Sequence, residues 1–155
     1  AANLNAPGQV VIAGSKDAVA RAIVLAKARG ARRAIPLAVS APFHCALMAP
    51  AEVRLAPELR ALATSDPVVP VVANVDAELK RDARSAIEAL VAQVSSPVRW
   101  EQVMQRLASE GIRKYVEVGP GTVLSGLGRK IIADATFVTI EDPADLDAAV
   151  AALRA

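Results

Sequence analysis

Lys114-Tyr-Val-Glu-Val-Gly-Pro-Gly121 decides the fold. Tyr115, Val116 and Val118 suit a pleated strand, and Gly119-Pro120-Gly121 ends it. A helix is then predicted through about Ile131. A strand that turns directly into a helix is the unit of an α/β layered domain. The alternation continues upstream. Gln9 to Ala13 is a short β-branched run closed by Gly14, and Val19, Ala22, Ile23 and Ala26 repeat at helical spacing until Gly30. Arg33 to Val39 predicts a second strand. A helix follows from about Pro50 to Ala63, with Pro57 expected to kink or split it. Val68 to Val72 is strand-like, and Pro70 marks an edge or an irregular end. Ser85 to Glu88 has capping-box spacing, ahead of a helix whose face is Ile87, Leu90, Val91 and Val94. Trp100, Val103, Met104 and Leu107 form the face of the next helix. Downstream, a strand near Phe137 to Ile140 precedes Asp142-Pro143, an N-cap with proline at the first helical position.

The chain has 155 residues, of which 54% are hydrophobic, 3% aromatic and 22% charged. At roughly 150 residues per domain that is one domain. The apolar share excludes disorder. With so few aromatics, the core is expected to consist mainly of Ala, Val, Leu and Ile. The net charge of +2 is not clustered with aromatics as a nucleic-acid platform requires. It suits an anionic ligand or an acidic partner. A single cysteine, Cys45, excludes an internal disulfide and suggests a reducing, cytoplasmic setting. A single histidine, His44, excludes the usual zinc sites. Ala34 to Ala51 carries no charge and approaches the length of a membrane span, but Pro36, Pro42, Pro50, Ser40 and His44 burden it. It reads as a buried strand and loop. No membrane partner is expected. The first residue is Ala1 rather than Met, so an upstream piece is expected.

His44 lies in Ser40-Ala-Pro-Phe-His-Cys45, between an expected strand and a helix, where α/β folds place their sites. Its ordinary pKa near 6.5 suits it to take and return a proton at neutral pH. A histidine hydrogen-bonded to backbone is the alternative. Cys45 with His44 as its base would make a cysteine hydrolase, but sequence neighbours point apart, and a small buried thiol is the simpler reading. Glu117 to Gly121 lacks the phosphate-loop pattern, and Pro120 removes a donor, so it reads as a structural turn. Lys27, Arg29, Arg32 and Arg33 suit a helix C-terminus as a solvated face; a docking patch for an acidic partner is the alternative. Gly-x-Ser-x-Gly, His-Glu-x-x-His and Cys-x-x-Cys are absent. No serine nucleophile is evident to pair with His44.

Five segments in order resemble the malonyl-CoA:acyl-carrier-protein transacylase family of fatty acid synthesis. They are Asn3 to Gly14, Pro36 to Met48, Pro70 to Asp76, Gln93 to Trp100 and Tyr115 to Gly121. The resemblance implies only the C-terminal half of such an enzyme. Residues 1–39 would be the C-terminal portion of a ferredoxin-like small subdomain. Residues 40–155 would be the C-terminal part of an α/β-hydrolase-like acyltransferase core. The nucleophile elbow Gly-His-Ser-x-Gly, the oxyanion glutamine and the arginine for the malonyl carboxylate would belong to an N-terminal fragment.

The resemblance also implies site roles. His44 matches the catalytic base, and Gln93 the residue whose backbone carbonyl receives the other imidazole N–H. Phe43 matches an aromatic of malonyl-selective members, expected to crowd a methyl branch on the acyl group. Asn5 matches a position near the acyl pocket, and Asn74 a position read as structural. No metal and no resident cofactor are implied. The partners are the N-terminal fragment, acyl carrier protein and a coenzyme A thioester. The competing functions are a non-catalytic module that binds acyl carrier protein and a cysteine hydrolase using Cys45.

Overall fold

The computed structural model describes residues 1–154. Lys114–Val118 is strand β5 and pairs in parallel with β6, Thr136–Ile140, from Lys114↔Thr136 to Val118↔Ile140. Helix α5, Val123–Ile131, makes the crossover between them. α5 packs on both strands, and α6, Leu146–Arg154, packs on β6. Asp142 caps the 3-10 turn Pro143–Asp145 ahead of α6, in a capping box with Asp145. The predicted strand–helix–strand unit and its closing cap are therefore present. Among the described residues β5 pairs only with β6, and Val116 and Val118 lie exposed.

The crossover is tight because Gly128 has no side chain. A Cβ there would stand 2.2 Å from Phe137 Cε1. The Phe137 ring stacks on Tyr115 with centroids 4.9 Å apart, and the Arg129 guanidinium lies 5.6 Å from its centroid.

The N-terminal segment forms an antiparallel hairpin of β1, Asn3–Ala6, and β2, Gln9–Val11. The register slips between Leu4 and Ala6, which leaves Asn5 as the extra residue of a bulge. β1 lies against α5 and against α4, Trp100–Ser109. It is stitched to the chain ahead of α4: Leu4 N–H donates to Val98 O at 2.8 Å, and Val98 N–H to Ala2 O at 2.8 Å. Ala2, Ala6, Val103, Met104 and Leu127 are buried around this junction. Helix α1, Lys16–Ala28, ends where Gly30 takes a φ of 88°, and Ala31 N–H reaches back to Ala26 O.

Several expectations are corrected. Residues 33–39 form no strand: Pro36 has no N–H, no neighbouring strand pairs with them, and Ile35, Leu37 and Val39 are exposed. The stretch from Ala34 to Ala51 is accordingly mostly exposed, not a buried strand and loop. β3 is only Val71–Val72, because Pro70 cannot donate to a ladder, and it pairs with β4, Leu79–Lys80. Of the two outcomes expected at Pro57, a split is ruled out, because helix α2, Ala49–Arg60, is continuous through it. The bond lost there is to the carbonyl of Val53, an exposed residue where water can replace it. Helix α3, Ala83–Gln93, is capped by Asp82, whose carboxylate accepts Ser85 N–H at 2.8 Å. Glu88 serves Arg60 instead of a capping box, and Leu90 faces solvent.

Candidate functional site

His44 sits in the loop ahead of α2, with a φ of 59°. Few residues other than glycine adopt this left-handed region, histidine among the more tolerant, and such backbone strain clusters at functional sites. The ring is half-buried. Its Nδ1 lies 3.1 Å from the main-chain oxygen of Gln93, the last residue of α3. Last-turn carbonyls have no intrahelical partner, so this oxygen is free to accept. A carbonyl only accepts, so a hydrogen bond here puts a proton on Nδ1, and in the neutral ring Nε2 then carries the lone pair.

Two helices hold this pair. α2 and α3 run antiparallel. Arg60 donates to both carboxylate oxygens of Glu88, at 2.8 and 2.7 Å. At the other end Ser95 Oγ donates to Glu52 Oε2, beside the His44–Gln93 contact in sequence. The Gln93 side-chain Nε2 donates to Ser96 O at 2.7 Å and lies 3.5 Å from His44 Nδ1. Neither Glu52 nor Ser95 was singled out in the sequence. No spacing rule connects them, and they meet only because α3 returns along α2.

The other candidates stand as follows. Cys45 Sγ donates to Pro42 O at 3.1 Å, a local contact that does not involve the imidazole. The thiol is half-buried rather than buried. Phe43 is 48% exposed, next to His44 in the same loop. Asn5 occupies the β1 bulge. Through Val98 its strand is hydrogen-bonded to the segment that follows Gln93. Among the described residues no hydrogen bond joins Asn5 or Phe43 to His44. Asn74 contributes its main-chain oxygen, which accepts Arg99 N–H at 2.8 Å ahead of α4.

The Gly119-Pro120-Gly121 turn has its donors occupied. Glu117 accepts Leu124 N–H at 3.0 Å and Ser125 N–H at 2.7 Å, and Glu141 accepts Gly121 N–H at 2.8 Å. Carboxylates fill the helix N-terminus that a phosphate would need. Burial raises the Glu117 carboxyl, but the hydrogen bonds from Ser125 and Leu124 outweigh it and hold the group below its ordinary value. Among the described residues no group of three or more His, Cys, Asp or Glu could hold a metal ion. Among the described residues no helix is long and apolar enough to cross a membrane.

Relatives similar in sequence and fold are named as malonyl transferases. The chain is 49% identical over 148 residues to the malonyl CoA-acyl carrier protein transacylase of Salmonella typhimurium, covering 96% of this chain and 48% of that protein. An acyl carrier protein S-malonyltransferase from Vibrio cholerae superposes with a TM-score of 0.90 at 49% identity, over 94% of this chain and 48% of the other. A structure described as a type II PKS acyl-carrier protein in complex with its malonyl-transacylase superposes with a TM-score of 0.92 at 45% identity. That match covers 96% of this chain and 48% of the other. The chain thus spans about half the length of the curated relatives it matches. The family described as the acyl transferase domain matches residues 1–142, and the chain belongs to that family.

Proposed function

We propose that this chain is the base-bearing half of a malonyl-CoA:acyl-carrier-protein transacylase. Residues 40–155 would belong to its α/β-hydrolase-like core and residues 1–39 to a ferredoxin-like small subdomain. The nucleophile is a serine in Gly-His-Ser-x-Gly on an N-terminal fragment. His44 Nε2 takes the proton from that serine as its oxygen attacks the thioester carbonyl of malonyl-CoA. The C–S bond breaks, and the imidazolium returns the proton to the departing coenzyme A thiolate. A malonyl ester on serine remains. The phosphopantetheine thiol of acyl carrier protein then enters, gives its proton to Nε2 and attacks the ester. Serine leaves with that proton restored. The acyl group passes between ester and thioester without a change of oxidation state, so the reaction needs no redox cofactor.

The observation that carries this reading is the contact between His44 Nδ1 and Gln93 O. It gives the imidazole the tautomer a base needs, the role an aspartate plays in the usual triad. The exposed valines of the two-stranded parallel sheet support a second half. Parallel sheets are normally covered on both faces, and exposed apolar area marks an interface. Phe43 would border the acyl group and Asn5 the acyl pocket, in a cytoplasmic enzyme of fatty acid synthesis. The cysteine reading is not favoured, because the Cys45 thiol is spent on Pro42 O. A module that only binds carrier protein would leave the His44 geometry without a use.

The test combines this chain with a polypeptide carrying the Gly-His-Ser-x-Gly half and measures malonyl transfer from malonyl-CoA to holo carrier protein. Transfer should require both chains. Transfer by this chain alone, or none by the folded pair, overturns the reading.

A further inference from the structure

Gln93 offers His44 two contacts of opposite sense. Its main-chain oxygen, 3.1 Å from Nδ1, demands a proton there. Its side-chain Nε2, 3.5 Å from the same Nδ1, is a donor and would demand a bare nitrogen. One ring atom cannot satisfy both. The first contact leaves Nε2 of the imidazole as a base, and the second would place the proton on that nitrogen and remove the base. The carbonyl contact is the shorter of the two, and the Gln93 amide makes its own shorter bond to Ser96 O, at 2.7 Å.

That arrangement depends on where the turn after α3 lies. Residues 94–96 carry no regular hydrogen-bond ladder of their own. The side-chain tether on this turn from outside is Ser95 Oγ donating to Glu52 Oε2, from the first turn of α2. Ser95 lies between Gln93, whose main-chain oxygen faces the imidazole, and Ser96, whose oxygen accepts from the Gln93 amide. Glu52 lies on the helix that continues from the His44 loop. Both residues are half-buried, so water competes only partly for their hydrogen bond. The Arg60–Glu88 pair braces the same two helices at the far end, exposed and away from His44.

We propose that the Ser95–Glu52 hydrogen bond fixes the turn after α3 so that Gln93 presents its carbonyl oxygen, and not its amide, to His44. Ser95 and Glu52 are then positioning residues for the base. This rests on the role given to His44 above, and one experiment separates the two.

The chain has one histidine, so [15N]histidine labelling reads a single imidazole by NMR. Tautomer is measured on the labelled chain, and malonyl transfer on the same chain combined with its nucleophile-bearing half. The unmodified chain should hold the Nδ1-protonated form. Ser95→Ala and Glu52→Ala should raise the Nε2-protonated form and lower kcat about tenfold with KM unchanged. Ser95→Thr and Glu52→Gln keep a hydroxyl and an acceptor and should restore both readouts. Arg60→Ala, the structural control, should lower Tm and leave the tautomer alone. An unchanged tautomer in folded Ser95→Ala overturns the proposal, as does a tautomer shift of equal size in Arg60→Ala. Should Glu52→Ala not fold, Ser95→Ala with its threonine rescue still decides. Absence of malonyl transfer in the unmodified pair would overturn the role of His44, while the tautomer measurement would still judge the tether.

Discussion

His44 Nδ1 and the main-chain oxygen of Gln93, 49 positions apart in sequence, meet at 3.1 Å across the junction of α2 and α3. The acceptor is a backbone atom, so the relationship places few demands on the identity of residue 93. Gln93→Ala should therefore keep kcat within a few-fold of the unmodified enzyme. Its cost should appear in stability, at about 0.5–1.5 kcal/mol for the lost bond to Ser96 O. Thermal unfolding and steady-state malonyl transfer together check this.

Gly128→Ala tests the crossover. Alanine is the better helix former by about 1 kcal/mol, which alone would stabilise α5. Here its methyl would meet Phe137, whose ring is held between Tyr115 and Arg129. The overpacking cost of about 1–3 kcal/mol should win and lower Tm. Adding Phe137→Leu should recover part of the loss, and a double-mutant cycle measures the coupling.

Acid stability follows from Glu117. Its carboxyl is held below the ordinary 4.5, because burial, the largest single influence, is outweighed by the combined hydrogen bonds from Ser125 and Leu124. A lowered folded pKa contributes stability that is fully present above the unfolded value. That stability is lost as pH falls through the folded one. Tm should be level above about pH 6 and fall through the acid range below 4.5. Glu117→Gln should lower Tm at neutral pH and flatten the acid limb, as a pH series of thermal melts would show.

Phe43→Ala should relax acyl selectivity. On its proposed role beside the acyl group, losing this ring should cut the malonyl preference over methylmalonyl by about 1–3 kcal/mol, roughly tenfold or more in the ratio of kcat/KM. Competition between the two coenzyme A thioesters measures it directly.

The residues differ in how openly they carried this information. The run from Lys114 to Gly121 announced strand and turn because each residue agrees locally with what the tertiary structure requires. Asp142-Pro143 did the same for the last cap. Arg33 to Val39 misled for the opposite reason: its β-branched residues fit a strand, but a strand needs a partner, and none lies beside it. The helix start at Asp82 was hidden by a competing signal, since Ser85 and Glu88 have capping spacing but are spent elsewhere. His44 stood out by being the sole histidine, whereas its carbonyl acceptor emerged only from resemblance, because a backbone oxygen has no residue signature. Glu52 and Ser95 carried no signal at all; their relation exists only once α2 and α3 lie antiparallel.

The central claim is that His44 is the base for a serine supplied by the other half. Its most direct test compares malonyl transfer by the combined chains with and without His44→Ala, after both are shown to fold. A fall in kcat of about 10²- to 10⁴-fold is the expected result. Turnover that is unchanged in the folded variant would contradict the account.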